Sequence, residues 1–328
     1  MHEITLRGTP DQMGTQHGAL MAQVGLQLPA LGPDFDRLAD GCERMALEHT
    51  PELVEELRAF AEAARIPYET LKTFTLTVPL QQSMPSCSVV AVLPERSANG
   101  KLLIGRNYDF AYDVSQEGAT VYTTYPAGGH AHIGSSDIWV GREDGVNDAG
   151  LFVAISATFI PGVQPGLPFW FIVRHMLEHC DTVEQALAWI QSVPHSQSRN
   201  YMLAGGQQAV VVEATINEVR IREPEDGILV KTNHPLHPDL APQVAFTLED
   251  SLVRYERMRA LPDEAVTRAD VRAALNDREH GVCAHAVYNG QSFGTIWSVI
   301  GYPEERRLAI APGTGGGAGE MEYRDYTL

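Results

Sequence analysis

Cys87 heads an apolar run, Ser86-Cys87-Ser88-Val89-Val90-Ala91-Val92, and a cation and a carboxylate, Arg106 and Asp109, follow it in the chain. Free cysteine ionises near ~8.5; a neighbouring cation lowers that value, and a neighbouring base takes the proton. A thiol, a guanidinium and a carboxylate brought together are therefore the makings of an activated nucleophile. The segment that brings them together is Ala98-Asn99-Gly100-Lys101, an Asn-Gly pair between two apolar runs. Such a pair predicts a type I′ hairpin turn, whose two central residues both need positive φ. The hairpin lays Leu102–Asp109 back along Cys87–Val92. Arg106 is then placed to lower the thiolate energy and to orient a substrate carbonyl or carboxylate. Asp109 is placed to accept a hydrogen bond from the Cys87 amine or thiol. A conventional Cys–His peptidase, with His234 or His132 as base, needs a helix starting at Cys87; Val89, Val90 and Val92 predict a strand there instead.

These residues resemble a known family. Cys-Ser-Val-Val-Ala-Val, a hairpin, then Gly105-Arg106-Asn107-Tyr108-Asp109 are similar to the start of the mature chain in the N-terminal-nucleophile (Ntn) cysteine amidohydrolases, which include penicillin V acylases and bile-salt hydrolases. The closer resemblance is to the branch of the acyl-CoA:6-aminopenicillanate acyltransferase (isopenicillin N acyltransferase). It continues in order through Gly8–Gly18, Asp144–Leu151, Lys231–Pro235, Ser251–Arg257 and Gly294–Ser298.

The resemblance implies an α+β fold, a four-layer αββα sandwich of two antiparallel sheets flanked by helices. It also implies a precursor cut immediately before the nucleophile, at Ser86–Cys87. The products are a helical α-chain, 1–86, and a catalytic β-chain, 87–328, which stay associated in a single domain spanning 1–328. The thiol attacks the preceding carbonyl, an N→S acyl shift follows, and water completes the cleavage. The freed amine, with a reference pKa near ~8, then serves as base for its own thiol. Asn233 matches the family's oxyanion asparagine, whose side-chain N–H stabilises the tetrahedral intermediate. Where bile-salt hydrolases carry a second asparagine this chain has Ser156 and Ala157, so a backbone N–H or the Ser156 hydroxyl is expected as the second donor. Those enzymes' second, late arginine has no evident equivalent near Thr295–Ser298. Trp297 and Ser298 are candidates to line the pocket, Trp297 equally for the core. Ser86 itself stands where the acyltransferase has glycine.

The implied reaction passes the acyl group of a small linear amide or thioester, through an S-acyl-enzyme, to water or to an amine, with no metal or organic cofactor. An uncleaved, non-catalytic relative binding a small amide metabolite is the alternative. Among other polar residues, Asn147 reads as a turn between strands, His17 and His234 as core or capping histidines, and Arg254 as a structural ion-pair partner on an amphipathic helix.

Composition bounds the partners. The 328 residues are 44% hydrophobic, enough for a full core, and 24 basic against 42 acidic residues leave a net charge of −18, which argues against a nucleic-acid partner. Cys42, Cys87, Cys180 and Cys283 are far apart and form no CxxC pair. No Cys/His cluster of zinc spacing is evident, and unpaired thiols suit a reducing cytoplasm. The opening Met1–Gly8 shows no signal peptide, and no run approaches the ~18 apolar residues of a membrane span. Self-association into a homo-oligomer is left open.

Residues 10–83 read mainly as helix, with Leu53, Leu57, Phe60 and Ala61 at helical spacing. Strands are expected at 121–125, 132–133, 151–156, 201–204, 209–214, 219–221, 228–232, 295–300 and 307–311. Helices are expected at 169–177, 182–190, 248–261 and 267–276, with Asp181 or Thr182 capping the second. Strands, two helices, strands, two helices, strands suggest two sheets with helices outside them.

Overall fold

The sequence periodicities become nine α-helices and fifteen strands among the residues that the computed structural model describes, which are 1–328 except 82–85, 116, 289 and 318. In chain order they are β1 (His2–Gly8), α1 (Pro10–Gln23), α2 (Pro33–His49), α3 (Pro51–Ala64), α4 (Tyr68–Gln81), β2 (Ser86–Val92), β3 (Leu103–Ala111), α5 (Tyr112–Ser115), β4 (Thr120–Pro126), β5 (His132–Ser136), β6 (Asp144–Asn147), β7 (Phe152–Ala157), α6 (Phe169–His179), α7 (Val183–Ser192), β8 (Arg199–Gly205), β9 (Gln208–Ala214), β10 (Val219–Arg222), β11 (Ile228–Lys231), α8 (Glu249–Arg259), α9 (Arg268–Leu275), β12 (His285–Tyr288), β13 (Gln291–Tyr302), β14 (Arg307–Pro312) and β15 (Arg324–Thr327). The first sheet runs β1-β4-β5-β6-β7-β8-β9-β10, and the second β11-β2-β3-β13-β14-β15 with β12 added on β13.

The two-residue alternation of β2 explains the layering. Cys87, Val89 and Ala91 face the space between the sheets, where they meet Ile104, Tyr108, Phe152, Ala154 and Met202. Val90 and Val92 face the other way, onto Met258 of α8 and Val271 and Leu275 of α9. The opposite face of the first sheet, with Val153, Ile155, Tyr201 and Leu203, is covered by α2, α3, α4, α6 and α7. Helices, sheet, sheet, helices is the expected four-layer αββα order. Every residue of β2 is buried, as a central strand covered on both faces must be.

Two expectations are corrected in detail. Residues 1–86 are not wholly helical: His2–Gly8 pairs with Thr120–Pro126 as a parallel edge strand, the exception in otherwise antiparallel sheets. Parallel neighbours need a long crossover, and here it contains α1–α5 together with β2 and β3. The Asn99-Gly100 turn does not close a tight hairpin either. β2 and β3 pair antiparallel as anticipated, but the chain leaves the ladder at Val92 and rejoins at Leu103. In between, Ser97 bridges to Val266, and only Gly100 of the pair has positive φ (67°), so the type I′ geometry is not formed. The Asn99 side chain instead accepts from Ser97 Oγ and Lys101 N.

Local signals set the helix starts. Thr182, not Asp181, caps α7, accepting from Gln185 N, and Thr9 and Thr267 form capping boxes at α1 and α9. No helix among the described residues is long and apolar enough to cross a membrane.

Candidate active site

The register of β2 on β3 places Ser86 opposite Asp109, Cys87 opposite Tyr108 and Val89 opposite Arg106. Cross-strand partners share a sheet face, so Arg106 and Cys87 both look into the space between the sheets. Cys87 is fully buried. Its own N–H donates to Asn233 Oδ1 at 3.2 Å, and its carbonyl accepts from Arg254 Nη1 at 2.8 Å. Ser86 Oγ donates to the same Asn233 oxygen at 3.4 Å. Met84 and Pro85, which precede this dipeptide, lie outside the described residues.

Arg106 is fully buried and ion-paired with Asp144; it also donates to Ile155 O at 3.3 Å. Asp144 Oδ2 accepts in addition from Trp297 Nε1 at 2.8 Å, and the Trp297 ring stacks on Tyr108 with centroids 4.0 Å apart. Trp297 is thus a buried brace that fixes the counter-ion of Arg106. Burial pushes the Cys87 thiol up to about 11; the Arg106 charge pulls it down, while Asp109 and Glu143 raise it. Burial likewise pushes the Asp109 carboxyl up to about 7, against the charge of Arg254 and the hydroxyl of Thr295. Asp109 Oδ1 accepts from Thr295 Oγ1 at 2.7 Å. Its Oδ2 is buried with no hydrogen-bond partner among the described residues.

Asn233 turns its amide oxygen, not its N–H, toward Cys87, and an N–H of its Nδ2 donates to Ala157 O at 3.1 Å. The Ser156 hydroxyl donates to Thr232 O at 2.9 Å and accepts from Asn200 Nδ2, so its single proton is committed to the backbone. Ala157 contributes its carbonyl, shared between Asn233 and Asn200. Ser298 lies apart from the cluster, bonded to Arg106 O and Tyr323 on the sheet face toward α9. Asn147 does serve a turn, accepting from Leu151 N, and its amide also ties the end of α6 through Leu177 O and Cys180 O. His17 is buried between Phe60 and Tyr122, and His234 bonds Thr232 and Ser251. His132 bonds His130 O, so neither His132 nor His234 is hydrogen-bonded to Cys87 as a peptidase base would be.

Three buried charged positions of the site escaped the sequence reading. Arg254 is more than an ion-pair partner of Asp250: its Nη atoms reach Cys87 O, Ser88 Oγ and Asn233 Oδ1, which puts a second guanidinium beside Cys87. The signal was present, since Ser251 of the same short motif holds the Asn233 backbone N–H. Asp144 opens another of the family-like segments, and β6 places it beside Arg106. Arg199, opposite Ala157 on β8, is buried over the Phe169 ring and carries no carboxylate partner among the described residues.

With the fold and this cluster in view, comparison with known proteins is decisive about the family. The model of the acyl-coenzyme A:6-aminopenicillanic acid acyl-transferase family matches residues 96–315, and the chain belongs to that family. Arg106, Asp109, Asn233 and Arg254 fall inside the match; Ser86 and Cys87 precede it. An uncharacterized protein of Archaeoglobus fulgidus is 22% identical over 81% of this chain and 55% of its own length. Protein dcd1B of Dictyostelium discoideum is 25% identical over 52% of this chain and 35% of its own. The chain thus spans about half or less of the curated relatives it matches. Among solved structures, a variant of conjugated bile acid hydrolase from Clostridium perfringens is similar with a TM-score of 0.52, at 14% identity, over 74% of this chain and 98% of that one. That likeness establishes an Ntn-hydrolase fold.

Proposed function

We propose that the protein is a self-processing amidohydrolase or acyltransferase whose nucleophile is Cys87 and whose own Ser86–Cys87 bond is its first substrate. One observation carries this reading: two polar side chains converge on a single buried cysteine, Asn233 on its N–H and Arg254 on its carbonyl, with the Arg106 charge acting on its thiol. An inert core cysteine needs no such partners.

In the first reaction the Cys87 sulfur adds to the Ser86 carbonyl carbon, the Ser86–Cys87 C–N bond breaks, and the amine leaves with the thiol's proton. Water then hydrolyses the Ser86 thioester, restoring the thiol. The new ammonium supplies the donor that the buried Asp109 Oδ2 lacks, so Asp109 anchors the freed terminus. In the second reaction the thiol attacks the acyl carbon of a small linear amide or thioester, with its own amine as base. Water or an amine then takes the acyl group, and we favour water because it is always present. Arg106 and Arg254 stabilise the negative charge that develops on sulfur and on the carbonyl oxygen. Segments 1–86 and 87–328 remain one domain, since β1 and β4 share a sheet. The four unpaired, buried cysteines suit a reducing cytoplasm.

A second reading, an uncleaved binder of a small amide, is favoured by one observation, the thiol held at about 11. Intact mass of the purified wild type beside Cys87→Ala separates the two. Fragments matching 1–86 and 87–328 in the wild type, with the variant whole, are the expected result. A single 328-residue chain in both removes the free-amine mechanism.

A further inference from the structure

Away from Cys87, α3 and α6 meet along a polar seam. Glu52 and Glu56 lie one turn apart on α3, and Arg174, His175, Glu178 and His179 lie on α6. At its buried end Arg174 pairs with Glu56 at 3.0 Å and with Glu178. At its outer end the chemistry changes to two imidazoles and one carboxylate. His175 Nδ1 lies 3.2 Å from Glu52 Oε1, and His179 Nε2 lies 3.5 Å from that same oxygen. One ligand atom from each of the three residues falls within 4.8 Å of the others.

We propose that Glu52, His175 and His179 form a binding site for a zinc-class divalent cation. Imidazole and carboxylate are the borderline donors that such ions prefer, and His-x3-His on one helix turns both rings to one side. The spacing fits the ion. Around a tetrahedral centre with bonds of about 2.1 Å, neighbouring ligand atoms stand roughly 3.4 Å apart, which the two measured separations bracket. The His175 ring is further held by stacking on Trp189, with centroids 4.0 Å apart and planes 16° from parallel. His179 is 36% exposed, so the fourth position opens to water. The neighbouring His130 shows what the alternative looks like. Its two ring nitrogens point in opposite directions, to Asp148 at 2.6 Å and Asp181 at 2.8 Å, so those carboxylates cannot converge with one nitrogen on an ion.

The site joins a helix from residues 1–86 to one from residues 87–328, so a bound ion cross-links the two sides of the Ser86–Cys87 bond. The site itself does not depend on that bond being cut. The test is equilibrium dialysis of the chelator-treated full chain against Zn²⁺, with Co²⁺ as an optical probe, for the wild type, Cys87→Ala, His179→Ala, Glu52→Gln and the control His130→Ala. The expected result is one Zn²⁺ per chain, a tetrahedral Co²⁺ spectrum and a raised melting temperature in the wild type, Cys87→Ala and His130→Ala. His179→Ala and Glu52→Gln are expected to bind at least about tenfold more weakly, by the usual sensitivity of metal sites. No stoichiometric metal, or equal binding in His179→Ala and Glu52→Gln, overturns the proposal. Because Cys87→Ala must bind like the wild type, failure of the cleavage reading leaves this result unaffected.

Discussion

Two clusters of buried charge flank the first sheet, and their difference shows what separates an active site from a structural ion network. Between the sheets lie Cys87, Arg106 and Asp144, with Asp109 and Arg254 beside them on the α8 side of the second sheet. On the far face of the first sheet lie His17, Glu56, Arg142, Arg174 and Glu178. Both are desolvated, and both keep unsatisfied polar atoms among the described residues. Burial disfavours the charged form in both, and the outcome depends on which group is buried. In the outer cluster it drives His17 down to about 3, aided by the charges of Arg142 and Arg174, so the imidazole is neutral throughout the neutral range and trades no protons there. In the inner cluster it lifts Asp109 to about 7, and Asp109 follows Tyr108, the cross-strand partner of Cys87. Perturbed titration marks both regions; a proton acceptor tuned near neutrality beside a thiol marks only one.

The sharpest break between the clusters is Cys87→Ala, which is expected to abolish chain cleavage and lower acyl transfer on the order of 10⁴–10⁶-fold, as loss of a nucleophile does. Intact mass and turnover of an acyl-amide panel read this out. The counterpart in the outer cluster is Arg174→Met, which strands Glu56 and Glu178 in the interior. Stability should fall by about 3–5 kcal/mol in denaturant unfolding, with the cleavage rate per folded molecule unchanged. A fall in that rate as large as the stability loss would erase the distinction between the two regions.

Asn233→Ala comes next: Cys87 N–H and Ser86 Oγ lose their shared acceptor, and cleavage is expected to slow by about 10–100-fold, measured by the time course of fragment appearance. The smallest effect concerns pH. Folding raises the Asp109 pKa from 3.8 to about 7, so its contribution to stability is fully present below about pH 4 and is lost as pH rises through 7. In the uncleavable Cys87→Ala background, Asp109→Asn removes that loss. The stability difference should therefore move in favour of the asparagine chain between pH 4 and pH 8, read by guanidinium unfolding at each pH. Parallel curves for the two chains would mean that Asp109 does not titrate in that window.

Much of the site lay open in the sequence because its central part is local. Valines and the pleat period fix β2 as a strand, and antiparallel pairing with the next apolar run then sets Arg106 and Asp109 beside Ser86 and Cys87. The amphipathic spacings of α3, α6, α8 and α9 likewise specify helices with one apolar side, and two sheets with helices outside are the economical way to bury those sides. Threonine side chains at positions 9, 182 and 267 decide where helices begin, since the free N–H groups of a first turn need a nearby acceptor.

Only the tertiary structure decided the rest, because it depends on groups far apart in the chain. The Asn99-Gly100 segment has the residues of a tight turn, yet Ser97 pairs with Val266 and opens the connection into a loop. Arg254, on a helix that periodicity marks merely as amphipathic, is aimed at Cys87 by the packing of α8 on β2 and β11. Asp144 meets Arg106 across the two sheets, and Glu52 meets His175 and His179 across two helices. Local sequence determines which residues can form a strand, a helix or a cap. Which charges share a desolvated space is settled by how those elements pack, and the chemistry of Cys87 is set there.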